Sequence, residues 1–232
     1  MEAAALDQPG VLSRAEDLLS SGKVLAAGQP EYPLRWETKL GASAPPVFWK
    51  LGEMPAPPFV VIVGSRNPLP GAWKFASALA VLVVEKGFSV ASGGAYGIDT
   101  VAARASTAAC KDKAPPLVEI LPRGLASLGK AKHCILSAAP PSEPFSTPLA
   151  MERNTLLYAL AETAVVCQPR LREGGSWHGA CGALRRKLTR VCVLDDDSAA
   201  AKALVALGAV GVRSPEEVFV TRESQAELLL AE

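Results

Sequence analysis

Three short turns of glycine and serine are the residues in this sequence best suited to bind an anion. They are Gly64-Ser65-Arg66, Ser92-Gly93-Gly94 and Gly174-Gly175-Ser176, and each follows an apolar run typical of a buried strand. A small-residue turn between a strand and a helix directs backbone N–H groups at a phosphate, and serine hydroxyls add further donors. Because the carboxyl ends of parallel strands meet at one edge of a sheet, we expect the three turns to form one phosphate-binding site.

Two arginines are expected to supply positive charge to the same pocket. Arg66 closes the first turn, and Arg153-Asn154 begins a helix just after the loop Ser142–Phe145. A guanidinium group is planar and permanently charged, which suits it to phosphate. The structural alternative for Arg153 is an ion pair with Glu143 that orients the loop. Each serine of the turns can likewise serve only to cap its own helix.

Four more residues lie close to the turns. Gly97 adds a glycine to the second turn, and Trp177 follows the third turn, where it can either stack on a base or cover the sheet edge. Asp99 stands at the start of a helix, where a carboxylate complements the helix dipole, so we interpret it as structural. His178 lies on a helix without a catalytic partner in the sequence, and we expect it to be inert.

The net charge of the protein is +1, so nucleic-acid binding would have to rely on a local basic patch. Six basic residues follow the strand pattern Thr163–Cys167, in and around the loop and helix after it. They form either an electrostatic funnel toward the pocket or a solvated helix face. They are Arg170, Arg172, Arg185, Arg186, Lys187 and Arg190.

The elements that must position these residues alternate between strand and helix patterns. Strand patterns occur at Val47–Leu51, Phe59–Val63, Phe88–Ala91, Leu117–Leu121, Thr163–Cys167, Val191–Leu194 and Ala209–Val212. Helical patterns separate most of them, including one within residues 125–141 that ends before Pro140. The alternation predicts an α/β fold, a doubly wound, mostly parallel sheet with right-handed crossovers and Phe59–Val63 at its centre.

Length and composition predict one main domain in a soluble protein of the cytoplasm. We expect a short helical N-terminal segment at residues 1–28, the α/β domain at residues 29–222 and a tail at residues 223–232. No apolar stretch approaches the roughly 18 residues of a membrane span, and the N-terminus lacks the features of a signal peptide. We therefore expect no membrane contact. The five cysteines have no metal-ligand spacing, so we expect no metal, and we expect no cofactor either.

Five motifs occur in the order found in the DprA/Smf family, and together they make the sequence resemble it. They are GSR at Gly64–Arg66, SGGAYGID at Ser92–Asp99, SEPF at Ser142–Phe145, RN at Arg153-Asn154 and GGSWHGA at Gly174–Ala180. The similarity covers roughly residues 30–220. It implies a Rossmann-like core of the SLOG superfamily that binds single-stranded DNA without catalysis and assists loading of a RecA-type recombinase in transformation or recombination. It also implies a homodimer, for which the apolar stretch Val205–Val212 is the expected contact.

Departures from the family pattern leave a second class of function open. Tyr96 stands where an arginine or lysine is common, Ala103-Arg104 where an alanine-histidine pair is usual, and Leu125–Lys132 in place of a YP element. The alternative is a SLOG-type nucleotide-binding protein or nucleotide phosphoribohydrolase. The related phosphoribohydrolases carry a catalytic glutamate after their glycine loop. Here Glu173 precedes the glycines and no acid follows them as far as Cys181, which disfavours catalysis.

Overall fold

The computed structural model describes Glu16, residues 21–110 and residues 116–220, and nine strands in these residues form one sheet. The strands are β1 (Val24–Ala26), β2 (Val47–Leu51), β3 (Phe59–Gly64), β4 (Ser89–Ser92), β5 (Leu117–Ile120), β6 (Cys134–Ser137), β7 (Thr163–Cys167), β8 (Arg190–Leu194) and β9 (Val210–Val212). The helices are α1 (Leu34–Leu40), α2 (Pro70–Glu85), α3 (Ile98–Ala109), α4 (Thr147–Leu160), α5 (Gly174–Arg186) and α6 (Ala199–Ala206), with 3₁₀ turns at Gly41–Ser43 and Glu216–Phe219.

The order of the strands confirms the predicted doubly wound sheet. Neighbouring strands follow the order β1-β2-β6-β5-β4-β3-β7-β8-β9. The seven strands from β6 to β9 in this order are parallel, whereas β1 pairs with β2, and β2 with β6, in the antiparallel sense. The chain winds outward from β3 to β6, returns through α4 to β7, and continues outward on the other side. The change of direction therefore lies between β3 and β7.

The central strand β3 is buried on both faces, as its unbroken apolar run predicts. Side chains alternate between the faces of a strand, and Val60 and Ile62 pack on one side with α2 and α3. Phe59, Val61 and Val63 pack on the other side with α1, α4, α5 and α6. Helices on both faces leave the two ends of the sheet as the places where loops gather.

The predicted helix within residues 125–141 is wrong, because part of this stretch forms β6. Cys134 and Leu136 are buried and Ile135 is only partly buried, so the apolar residues follow the two-residue period of a strand. The stretch returns to the preceding loop through a hydrogen bond of 2.7 Å from Ser137 Oγ to the Arg123 carbonyl. In the sequence Cys134, Ile135 and Leu136 are all apolar and therefore show no period. The pairing of this stretch with β5 and β2 is what makes it a strand.

The sheet begins earlier in the chain than the predicted strands do. Val24 of β1 pairs with Trp49 of β2, so the first strand of the sheet precedes residue 29. Most of the helical segment predicted near the N-terminus, and the whole predicted tail at residues 223–232, lie outside the described residues. Among the residues that the structure describes, no helix combines the length and apolar character needed to cross a membrane.

Candidate functional site

The three glycine and serine turns lie at one edge of the sheet, as the sequence predicts. They follow β3, β4 and β7, and β3 pairs in parallel with each of the other two strands. The change in winding direction also falls between β3 and β7, and ligands bind outside the carboxyl ends of the strands at such a point. This end of the sheet is termed the carboxyl edge below.

Hydrogen bonds at the end of β3 join the three turns to one another. The Ser65 N–H donates to the Cys167 carbonyl over 3.0 Å, and the Ser65 carbonyl accepts from the Ile98 N–H over 3.0 Å. Ser176 Oγ donates to the Gly64 carbonyl over 3.1 Å. The position of each turn therefore depends on the other two.

Two of the predicted glycines are required by the closeness of the backbones. A Cβ at Gly64 would overlap the carbonyl oxygen of Cys167, and a Cβ at Gly97 would overlap the backbone of Ser65 and Arg66. Gly97 also has φ +84°, a conformation that side chains disfavour. Gly64 therefore allows the first turn to lie against the end of β7, and Gly97 allows the second turn to lie directly against the first.

A buried ion pair lies beneath the second turn. Asp99 and Arg153 are 4% and 8% exposed, and 3.9 Å separates Asp99 Oδ2 from Arg153 Nη1. Asp99 Oδ2 also accepts from the N–H groups of Gly93 (3.1 Å) and Ala95 (3.4 Å). Asp99 is thus the acceptor that holds the turn in place. The partner of Arg153 is Asp99, so the alternative of an ion pair with Glu143 is wrong.

Three buried polar atoms around this pair have no hydrogen-bond partner among the described residues. They are Ser92 Oγ, Arg153 Nε and Tyr158 Oη. A side chain at Gly93 would overlap the Arg153 guanidinium, which places that group directly against the second turn. Buried polar groups are nearly always hydrogen-bonded, so a site with several unpaired ones favours a polar ligand or ordered water.

Burial drives both members of the ion pair toward their neutral forms. It raises the pKa of Asp99 to about 6, against the opposing effects of the Arg153 charge and the two backbone N–H donors. Burial likewise lowers the pKa of Arg153, and the nearby charge of Arg66 adds to that lowering. The two arginines therefore act on the same small region, although only Asp99 changes charge near neutral pH.

The raised pKa of Asp99 predicts how stability depends on pH. Folded Asp99 keeps its proton up to about pH 6 and unfolded Asp99 only up to 3.8, so the folded state binds more protons between these values. The contribution of Asp99 to the free energy of unfolding is then complete below about pH 4 and falls by about 3 kcal/mol as pH rises through 6. Urea unfolding of wild type and Asp99→Asn at several pH values measures this difference.

A second variant controls for the general effect of pH on the protein. Asp195 is partly exposed and its pKa is lowered by a hydrogen bond from Arg213, so its contribution has the opposite sign. The stability difference between wild type and Asp195→Asn should rise with pH, whereas that for Asp99→Asn should fall. A difference for Asp99→Asn that stays constant from pH 4 to pH 7 would contradict the raised pKa.

Several of the predicted polar groups hold the turns together. Ser176 Oγ donates to the Gly64 carbonyl, and Asn154 Nδ2 donates to the Gly175 carbonyl over 3.2 Å. Ser65 Oγ accepts from the Asn67 N–H over 3.1 Å within its own turn. In the described structure these side chains position the turns.

The glycines of the turns differ in exposure. Gly94, Gly174 and Gly175 are exposed at the carboxyl edge, whereas Gly93 is buried and its N–H is taken by Asp99. Gly94 and Gly174 have positive φ angles of 65° and 74°. Of the predicted phosphate-binding backbone, the exposed parts are therefore the second half of the second turn and the first half of the third.

Trp177 is buried, so of its two predicted alternatives the one in which it stacks on a base is wrong. It is 7% exposed and belongs to the core on the α4 and α5 side of the sheet. Ala180 and Ala183 are buried on the same helix, so the three residues form the inward stripe of α5. That i, i+3, i+6 spacing was the signal in the sequence.

The exposed aromatic of the second turn is Tyr96, which stands where the family pattern commonly has an arginine or lysine. Its side chain is 85% exposed. It precedes Gly97, whose backbone lies against Ser65 and Arg66. A tyrosine that replaces a common basic residue was the available signal.

The six predicted basic residues divide between the two ends of α5. Arg170 and Arg172 lie in the loop before the helix, at the carboxyl edge, and Arg170 pairs with Glu173 over 3.4 Å. Arg185, Arg186 and Lys187 lie at the other end of the 13-residue helix, about 20 Å away, where they complement the helix dipole. Arg190 begins β8, also away from the carboxyl edge, and donates to the Val218 carbonyl over 2.6 Å. The charge that remains near the turns comes from Arg66, Arg170 and Arg172, and neither Arg66 nor Arg172 forms an ion pair with a described residue.

Comparison with known proteins gives one family. The family model for DNA recombination-mediator protein A matches residues 23–223. A putative DNA processing protein DprA of Mycobacterium tuberculosis is 31% identical over 189 residues, which cover 69% of this chain and 48% of that protein. The chain therefore spans about half the length of the curated relative it matches.

Solved structures share the fold at lower sequence identity. DNA processing protein A of Streptococcus pneumoniae has a TM-score of 0.71 at 21% identity, with 91% of this chain and 81% of that chain covered. The Helicobacter pylori protein, whose structure concerns its single-stranded DNA binding mode, has a TM-score of 0.70 at 21% identity, with coverages of 90% and 96%. A molybdenum cofactor binding protein of Rippkaea orientalis has a TM-score of 0.53 at 18% identity, with coverages of 76% and 97%.

Proposed function

Because this chain belongs to the DNA recombination-mediator protein A family, we propose that it binds single-stranded DNA at the carboxyl edge of its sheet. The observation that carries the proposal is Arg153, a buried arginine whose Nε has no partner and whose guanidinium lies against the second turn. Exposed Arg66 adds positive charge to the same region. The single-stranded DNA binding mode described for the H. pylori protein supports the same ligand class.

In the proposed complex the turns and the arginines together bind one short stretch of DNA backbone. The backbone at Gly94, Gly174 and Gly175 is exposed at the carboxyl edge, where a phosphate group can approach it. Arg66 neutralises a phosphate at the surface, and Arg153 supplies a charge that water screens poorly. Asp99 positions the second turn by accepting hydrogen bonds from the Gly93 and Ala95 N–H groups, and its carboxylate pairs with Arg153 and keeps it in place.

We also propose that the protein acts as a non-catalytic mediator, a homodimer that delivers DNA to a RecA-type recombinase. The family supports this role. For the homodimer, β9 is an edge strand, and Val205 and Leu207 beside it are 43% and 55% exposed. Light scattering at tens of micromolar protein tests the assembly, and a monomer at that concentration would contradict it.

The DNA-binding proposal predicts a specific effect of Arg66→Ala. In titrations of a labelled oligo-dT over a salt series, the affinity of the variant should fall several-fold near 0.1 M salt. The slope of log affinity against log salt should become shallower by about 0.7, because one phosphate contact is lost. Arg186→Ala is the matched control, since Arg186 is exposed at the far end of α5 and should leave both quantities unchanged.

Two outcomes would contradict the proposal. Equal losses for Arg66→Ala and Arg186→Ala would mean that binding follows overall charge and has no site at the carboxyl edge. Absence of oligonucleotide binding at low salt, together with micromolar affinity for a free nucleotide, would favour the nucleotide-binding alternative. Release of free base from a nucleoside monophosphate, lost in Glu173→Gln or His178→Ala, would identify the hydrolytic form of that alternative.

A further inference from the structure

We propose that Tyr96 is a stacking platform for an unpaired base of the bound strand, and this inference rests on the proposed function. The Tyr96 side chain is 85% exposed, more than any other large apolar or aromatic side chain in the described residues. It makes no hydrogen bond and no ring contact with a described residue. A single exposed aromatic side chain is common on protein surfaces, and what distinguishes Tyr96 is its place beside Arg66 and among other exposed apolar residues at the carboxyl edge.

The backbone on both sides of Tyr96 is anchored, so the position of the ring is constrained by its turn. On one side the Ala95 N–H donates to Asp99 Oδ2 over 3.4 Å, and the Ala95 carbonyl accepts from Thr100 Oγ1 over 2.8 Å. On the other side Gly97 lies against the backbone of Arg66. Tyr96 is therefore a residue on a fixed turn, directly beside the arginine proposed to hold a phosphate. In a single strand each phosphate has a base within reach of such a neighbour.

Further apolar side chains surround the same edge and favour a ligand with flat, uncharged faces. Ten large apolar side chains are exposed in the described residues. Six of them belong to the loops and first helical turns that follow β3, β4, β6 and β7. These six, termed the apolar rim, are Leu69, Trp73, Tyr96, Phe145, Met151 and Leu171.

The carboxyl edge carries positive charge as well as the apolar rim, and this combination favours a nucleic-acid strand over an apolar protein surface. Arg66 follows β3 and Arg172 follows β7 at this edge, and neither has an ion pair with a described residue. A single strand offers a negative phosphate and an apolar base at each nucleotide, so it satisfies both sets of residues at once. Stacking is indifferent to which base is presented, so we expect Tyr96 to contribute affinity with little sequence preference.

The test compares two strands of equal charge, oligo-dT and an oligomer of the same length made entirely of abasic deoxyribose phosphate. Tyr96→Ala should lower the affinity for oligo-dT about tenfold, and Tyr96→Phe should retain it, because the ring and not the hydroxyl makes the contact. The salt slope should be the same in all three proteins, since stacking releases no counterions. On the abasic strand, wild type and Tyr96→Ala should bind equally.

Matched controls separate stacking from other effects. Leu34→Ala, which removes an exposed apolar side chain outside the apolar rim, should change neither affinity. Thermal unfolding should be unaltered in Tyr96→Ala, because the side chain packs against no described residue. A further test places a single abasic site at successive positions of oligo-dT. At one position it should lower the affinity of wild type as much as Tyr96→Ala does, and at that position it should not lower the affinity of Tyr96→Ala further.

The outcomes distinguish this inference from the proposed function. If wild type binds both strands and Tyr96→Ala binds oligo-dT equally well, the stacking inference is overturned while DNA binding stands. If Tyr96→Ala keeps its DNA affinity but loses affinity for a RecA-type recombinase, the rim is a protein contact and the inference is likewise overturned. If wild type binds neither strand at low salt, the proposed function fails and the stacking inference fails with it.

Discussion

Replacing Gly97 with alanine is expected to abolish oligonucleotide binding and to lower the free energy of unfolding by about 3 kcal/mol. Gly97 has φ +84°, which disfavours any side chain, and a Cβ there would overlap the backbone of Ser65 and Arg66. The second turn would have to move away from the first, and the hydrogen bond from the Ile98 N–H to the Ser65 carbonyl would be lost. Urea unfolding and oligo-dT titration measure the two effects.

Gly182 is the matched control for this substitution. It lies within α5, and a Cβ there would meet no atom within 4 Å. Gly182→Ala should raise the free energy of unfolding by about 0.5 to 1 kcal/mol, because alanine is the better helix former, and it should leave binding unchanged. If Gly97→Ala bound oligo-dT as tightly as Gly182→Ala does, the close packing of the first and second turns would be irrelevant to the site.

Replacing Trp177 with alanine is expected to lower the free energy of unfolding by about 3 to 5 kcal/mol, because it empties a large core position. Trp177 is 7% exposed on the inward stripe of α5. A side chain with this burial cannot stack on a base, so the effect is on the fold. Trp73→Ala offers a matched comparison, since Trp73 is 50% exposed and its loss should cost less than 1 kcal/mol.

The effect of Trp177 on binding is best measured in a variant that stays folded. Trp177→Phe keeps most of the apolar volume, so a folded protein with nearly wild-type affinity for oligo-dT is expected. A folded Trp177→Phe with unchanged stability but greatly weakened binding would mean that the indole itself touches the DNA. It would also restore the interpretation of Trp177 as a ligand contact.

The parts of the fold that the sequence predicts well are those set by local pattern. The apolar run Phe59–Val63 can only be a strand buried on both faces, and Thr163–Cys167 has the same bounds in the structure as in the prediction. Once these strands are placed in a parallel sheet, the meeting of the three turns follows from topology. β1 escapes prediction because three residues carry no measurable period, and β6 because its partners decide its structure.

The composition of the site is harder to predict because exposure and pairing depend on distant parts of the chain. Asp99 and Arg153 are far apart in sequence, and nothing local to either residue indicates that they pair. Trp177 and Tyr96 both follow glycine turns, yet one lies inside a helix stripe and the other outside any element. Arg185 and Arg186 are close to the third turn in sequence and a helix length away in space.

The hydrogen bonds at the end of β3 have a consequence for the order in which the molecule is made. Ser176 and Gly64 are 112 residues apart, and the Cys167 carbonyl that accepts from Ser65 comes almost as late in the chain. The first and second turns are synthesised early and bond to each other, but the Ser65 N–H and the Gly64 carbonyl lack their partners, and the third turn is missing, until β7 and α5 follow. The ability to bind DNA is therefore expected to arise late in synthesis, in a single step. Nascent chains shorter than about 186 residues, which lack part of α5, should not bind single-stranded DNA.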